Sequence, residues 1–275
     1  MPPDGPASDI SRSRRVFARG AERLKIESLS LNRLAPNMLT LLAMCAGLSS
    51  IRYGITERWD RAVIALVAAA FLDGIDGRIA RLLRATSKFG QELDSLADAI
   101  SFGVAPAIVM YLWSLQHAER FGWALSLLFA VCSVLRLARF NTMVGQDLPA
   151  WAHNYFTGVP TPSGAGLAIL PLIMWLNTDQ DVFRNPVLVG GFMLLIAILM
   201  VSRVPTFSGK TLRLKPQWVL PLMILIGLTG AFLVTDTWAT LSVMGLVYLA
   251  FIPVSVMTFR KRRATAPAEP DELKD

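Results

Sequence analysis

Four aspartates, Asp73, Asp76, Asp94 and Asp98, fall within one short stretch of the chain. The first two are three residues apart and the last two are four apart. On helices, both spacings put the two carboxylates on one face. The segment between the pairs is short and basic, with Arg78, Arg81, Arg84 and Lys88. It makes the two helices antiparallel neighbours, so all four carboxylates can converge. Such a group repels itself unless cations fill the space between its oxygens. Carboxylates without histidine or cysteine suit a hard divalent ion, Mg²⁺ or Mn²⁺, better than zinc. The chain has only His117 and His153, both outside the stretch, so a general base here is a carboxylate. Two rival readings are a set of Asp–Arg pairs holding two helices together and a proton or cation relay. Gly74, Gly77 and Gly90 weigh against the relay. Without side chains where two helices meet, they let a ligand or backbone approach closely. Metal, arginine and open backbone together suit phosphates.

The elements that position these residues follow from composition. Of 275 residues, 53% are hydrophobic and 17% charged, against ~25% charged in soluble domains. Mean hydropathy is +0.48. These values exclude an ordinary cytosolic enzyme, a disordered chain and a disulfide scaffold. Cys45 and Cys132 sit far apart in apolar runs and read as small core residues. The expected fold is all-α, a polytopic transmembrane bundle. Eight apolar stretches approach the ~20 residues a membrane helix needs, near 36–55, 60–83, 91–115, 121–140, 158–177, 185–204, 216–235 and 237–258. Only Asp236 separates the last two. Residues 13–31 are basic with scattered apolar positions, which fits either an interfacial helix or a disordered tail. With eight spans, 22 of the 27 Lys and Arg fall on the side shared by both termini. The positive-inside rule makes that side cytoplasmic. The net charge of +7 then suits a lipid surface, and no nucleic acid is expected.

The fixed positions Asp73, Asp76, Gly77, Ala80, Arg81, Gly90, Asp94 and Asp98 resemble the signature of the CDP-alcohol phosphotransferases, with no change in spacing. Leu34–Gly47 resembles the start of that family's first helix. The segments LRLARFN at 135–141, FTGVPTP at 156–162 and VSRVPTFSGK at 201–210 are similar to its serine-using branch, the membrane-embedded CDP-diacylglycerol–serine O-phosphatidyltransferases. The resemblance covers about residues 34–215. It divides the chain into a basic segment 1–33, a catalytic core 34–215, two further spans 216–259 and a cytoplasmic tail 260–275.

The resemblance implies an integral inner- or plasma-membrane enzyme that joins CDP-diacylglycerol to L-serine and releases CMP. Asp73, Asp76, Asp94 and Asp98 would hold one or two divalent ions, with Asp98 also the catalytic base. Gly77, Ala80 and Gly90 would leave room for the cytidine, and Arg81 would contact the nucleotide. Asn37 and Thr40 would hold the nucleotide or cap the first helix. Of Arg136 and Arg139, one would bind the serine carboxylate and the other a lipid phosphate, in either order. Asn141 would cap the fourth span or meet substrate. Arg203, Ser208 and Lys210 form a second candidate anion site. A site at the cytoplasmic ends of spans two and three keeps acyl chains in hydrocarbon while serine arrives from water. Membrane lipid and a second copy in a homodimer are the expected partners. The alternatives are the same chemistry on glycerol 3-phosphate, inositol phosphate or choline, a transporter using the aspartates, and a membrane scaffold.

Overall fold

Helix α1, Leu31–Ile55, turns through three residues into α2, Trp59–Leu82, and packs along it. One face of α2 is an apolar stripe at helical spacing: Trp59, Ala62, Val63, Leu66 and Ala69 are buried. Four and seven residues beyond Ala69, on the same stripe, come Asp73 and Asp76. The acids therefore sit on the inward face of α2, where the core ends. The computed structural model describes residues 31–83, 87–143, 155–202, 204–207 and 216–265. Most of the basic segment at 13–31, and Arg203, Ser208 and Lys210, lie outside the described residues.

Helix α3, Lys88–Asp98, opens on Ser87, whose hydroxyl accepts from the Gly90 N–H at 3.0 Å, an N-cap. A π-helical turn, Ala99–Val104, leads into α4, Ala105–Trp113. Pro106 near the start of α4 has no N–H to donate to Phe102 four residues earlier, which favours a wider turn there. The turn is packed closely on both sides. A Cβ on Gly47 of α1 would lie 2.8 Å from the Ser101 Cα. One on Gly103 would lie 2.9 Å from the Ser133 hydroxyl of helix α5, Glu119–Met143.

A three-residue antiparallel ribbon departs from the expected all-helical chain. Strand β1, Tyr155–Thr157, pairs with β2, Pro205–Phe207, with Phe156 opposite Thr206. These segments flank helices that begin and end at the same level, and pairing satisfies backbone groups that no helix can. Between them run α6, Thr161–Ala168, α7, Leu170–Thr178, and α8, Pro186–Val201. The break at Ile169 precedes Pro171, which cannot donate to Leu167. Helix α9, Val219–Thr235, and α10, Thr237–Thr265, meet at Asp236, as the sequence suggests. Helix α10 continues past residue 259, so the first residues of the expected tail are helical.

The core gathers Met110, Trp113, Phe129, Met193 and Ile196 from α4, α5 and α8, and Phe102 of the π turn packs in a second cluster with Ala69 and Ala165. Cys45 is exposed and not in this core, and Cys132 is half-buried. Among the described residues, four helical stretches are long and apolar enough to cross a membrane: Leu34–Ile55, Lys88–Trp113, Leu115–Thr142 and Thr237–Thr258. Pro186–Val201 and Val219–Thr235 are shorter apolar helices.

Candidate active site

The end of α2 and the start of α3 bring the aspartates together. One carboxylate oxygen from each of Asp73, Asp76 and Asp94 lies within 4.8 Å of the other two. Asp98, one turn beyond Asp94, lies close enough to Asp73 for the two carboxyl groups to interact. Two carboxyl groups in that contact need a shared proton or a cation between them. Asp76 is only 4% exposed. The Thr40 hydroxyl contacts Asp76 Oδ2 at 2.7 Å and the Pro36 carbonyl at 3.1 Å. Among the described residues, none of the four acids forms an ion pair with a basic side chain, so the reading as Asp–Arg pairs finds no support. An all-oxygen group of this kind fits a hard divalent cation.

A cleft runs along this cluster. Pro36, Asn37 and Thr40 of α1 form one wall, and Asp76, Gly77 and Ala80 of α2 a second. Ser87, Gly90, Gln91 and Asp94 at the start of α3 form the third. Asn37 and Thr40 lie inside α1, past its first turn, and do not cap it. Gly90 is needed where it stands: a Cβ there would lie 3.0 Å from Asn37 Oδ1 and 3.2 Å from the Ser87 hydroxyl. Gly74 and Gly77 differ from expectation, since nothing lies within 4 Å of an added Cβ at either. They are not at a helix crossing, and Gly77 borders the open cleft.

A second polar group lies within electrostatic reach of Asp98. Arg136 of α5 is 9% exposed and within electrostatic reach of Asp98 and of Tyr248 on α10. Its Nη1 donates to the Thr161 hydroxyl at 2.9 Å, and its guanidinium lies over Phe140 at 5.6 Å. Its Nε is buried without a hydrogen-bond partner. Tyr248 is partly buried against the main core.

The acidic and basic groups interact through Asp98 and Arg136. Residues 33–207 match the CDP-alcohol phosphatidyltransferase family, and residues 217–253 match the family described as CDP-alcohol phosphatidyltransferase 2. The chain belongs to the CDP-alcohol phosphatidyltransferase family. Its relatives include a protein of Mycobacterium leprae named CDP-diacylglycerol–serine O-phosphatidyltransferase, 35% identical over 88% of this chain and 81% of its own. A protein of Helicobacter pylori with the same name is 36% identical over 79% of this chain and 89% of its own. One of Bacillus subtilis, also so named, is 34% identical over 62% of this chain and 87% of its own.

In this family member the remaining expected residues are placed unevenly. Arg81 is exposed, outside the cleft lining, and its Nε donates to the Gly77 carbonyl at 3.0 Å on its own helix. Arg139 donates from Nη1 to the Val201 carbonyl at 3.2 Å, tying α5 to the end of α8. Asn141 donates from Nδ2 to the Ser95 hydroxyl at 2.9 Å, linking α5 to α3 beside Asp94. Sequence reasoning missed Ser87, Gln91, Thr161, Ser163 and Tyr248. Ser87 had a signal, a serine immediately before a helical run. Gln91 stands next to Gly90 and Thr161 within the FTGVPTP segment at 156–162, whereas Ser163 and Tyr248 carry none.

Proposed function

We propose that this chain transfers the phosphatidyl group of CDP-diacylglycerol to the hydroxyl of L-serine, giving phosphatidylserine and CMP. The observation that carries the reading is the convergence of four aspartates, with no basic partner among the described residues, near an arginine with an unfilled donor. The names of the relatives support serine as the acceptor. Asp73, Asp76, Asp94 and Asp98 would hold one or two divalent ions, Mg²⁺ or Mn²⁺. Bound there, such an ion supplies charge neutralisation for the diphosphate and the departing CMP.

The chain's own residues have the following parts. Thr40 orients the Asp76 carboxylate by holding one of its oxygens. Gly77, Ala80, Gly90, Asn37 and Gln91 shape the cleft for the cytidine, with Arg81 at its rim. The serine hydroxyl attacks the phosphorus that carries diacylglycerol. A serine oxygen–phosphorus bond forms, the bond from that phosphorus to the CMP oxygen breaks, and Asp98 takes the hydroxyl proton. Arg136, desolvated and with a free donor, holds the serine carboxylate. Arg139 binds the lipid phosphate, Arg203, Ser208 and Lys210 are a second candidate anion site, and Asn141 keeps α5 against α3. We further propose eight membrane spans, with both termini and the site on the basic, cytoplasmic side of the inner or plasma membrane. The functional unit is taken to be a homodimer.

The test is CMP release by detergent-purified protein given CDP-diacylglycerol and Mg²⁺ or Mn²⁺. L-serine, glycerol 3-phosphate, inositol phosphate and choline are run in parallel, with EDTA as control. Metal-dependent release stimulated by serine alone is expected. Release with another alcohol keeps the acid cluster and overturns the acceptor. No release with any acceptor, from folded protein, returns the chain to the transport and scaffold readings.

A further inference from the structure

The outer side of the α2–α3 junction mixes large apolar and charged side chains. Leu82, the last residue of α2, is 81% exposed, and Phe89, in the first turn of α3, is 69% exposed. Arg78, Arg81 and Lys88, beside and between them, are exposed as well. Among the described residues between Gly77 and Leu93, the one acid is Glu92. This mixture stands at the cleft. Ala80, two residues from Leu82, and Gly90, next to Phe89, both line it. Helix α2 has 24 residues, about 36 Å at 1.5 Å per residue, against ~30 Å of hydrocarbon. A helix of that length carries Leu82 to the edge of the acyl layer.

Neither hydrocarbon nor water suits these side chains together. In hydrocarbon the three cations would each be costly. In water Leu82 and Phe89 would stay hydrated, since no described part of the fold covers them. The boundary between acyl chains and head groups satisfies both kinds: apolar side chains enter the acyl layer while cations meet phosphates. Three cations against one acid favour an anionic leaflet.

We propose that Leu82 and Phe89 form an apolar lip that seats the mouth of the cleft in an anionic leaflet, with Arg78 and Lys88 on its phosphates, so that the lipid substrate enters sideways from the bilayer. The proposal rests on the reading of the substrate as a membrane lipid, and on exposure, charge and nearness to the cleft for the place of the lip.

The experiment uses the full-length protein in phosphatidylcholine vesicles and measures CMP release with L-serine. Wild type is compared with the double variants Leu82→Ser/Phe89→Ser, Leu82→Met/Phe89→Leu and Arg78→Gln/Lys88→Gln. Each receives long-chain CDP-diacylglycerol, as a varied mole fraction of the vesicle, or a dibutyryl form dissolved in water. Leu82→Ser/Phe89→Ser is expected to raise the KM for the long-chain lipid about tenfold, the scale of two apolar side chains partly withdrawn from the acyl layer. The KM for the dibutyryl form and for serine should stay within about twofold, since the cleft lining is untouched. Leu82→Met/Phe89→Leu should keep the wild-type values. Arg78→Gln/Lys88→Gln should raise the long-chain KM about threefold at low salt, and the difference should fade as salt screens the leaflet. An unchanged long-chain KM, an equal rise for both lipid forms, or a loss in Leu82→Met/Phe89→Leu as large as in the serine pair would overturn the proposal. The last two outcomes are those of a merely structural part. If wild type uses a different alcohol, the serine reading fails, and the same comparison with that alcohol decides the lip. A wild type inactive with every acceptor removes both.

Discussion

The acidic group at the α2–α3 junction and the basic group around Arg136 are built in opposite ways. The first is four carboxylates on two consecutive helices, with only Thr40 as a neutral partner from outside. The second is one guanidinium, and its neighbours come from α6 and α10, far away in sequence. The acids and Arg136 interact across the site, yet no ion pair joins them among the described residues. If they paired directly, each would satisfy the other and nothing would be left to bind. Held apart, the acids select a cation and the arginine an anion. A substrate set with a metal-bound diphosphate at one end and a carboxylate at the other would satisfy both.

That division can be broken by substitution. Asp94→Asn should lower kcat by roughly 10³-fold or more, because a hard ligand and its charge are lost together. Near-normal turnover by folded protein would remove the metal-ligand assignment. Arg136→Ala should raise the KM for serine by about 100-fold, the scale of a buried charge-assisted contact, with the KM for CDP-diacylglycerol little changed. Equal changes in the two would show that the groups do not serve separate substrates. Thr40→Val should weaken metal activation by about tenfold, as loss of a group orienting a ligand does. Titration of activity against Mn²⁺ measures it, and an unmoved midpoint would leave Thr40 as packing only. Asn141→Ala should cost about twofold to threefold in kcat, since its bond to Ser95 is exposed. A loss as large as that of Asp94→Asn would mean that Asn141 touches substrate.

The two groups also differ in how far the sequence revealed them. Spacings of three and four, with a short basic turn, were enough to bring Asp73, Asp76, Asp94 and Asp98 together, since helix geometry and adjacency do the rest. Asn37, Thr40, Gly77, Ala80 and Gly90 line one cleft with Asp76 and Asp94. The glycines at 74 and 77 were misread as crossing points because a missing side chain looks the same facing a helix or facing open space. Arg81 was expected on the nucleotide, but its Nε is held by its own helix. Arg136 was visible as a residue, while Tyr248 within its electrostatic reach was not. A tyrosine in an apolar span has no periodic signature, and its place is set by how α10 docks. The π turn was hidden too, since hydrophobic periodicity runs on through 91–115 without a visible break.

That turn gives the third span two independent halves. A π turn takes in about one extra residue, and each residue advances an α-helix by about 100°. Everything from Ala105 onward is therefore swung around relative to Asp94 and Asp98. A straight helix here would have to choose between aiming its acids at the cleft and aiming Val109, Met110 and Trp113, all 0% exposed, at the core. The wider turn removes the choice, and the two halves can be altered by selection separately. Chemistry can drift at one end without disturbing the hydrophobic packing at the other. Deleting a single residue between Ala99 and Val104 would couple them again, so the chain is less tolerant of a change in length there than of many changes in residue type.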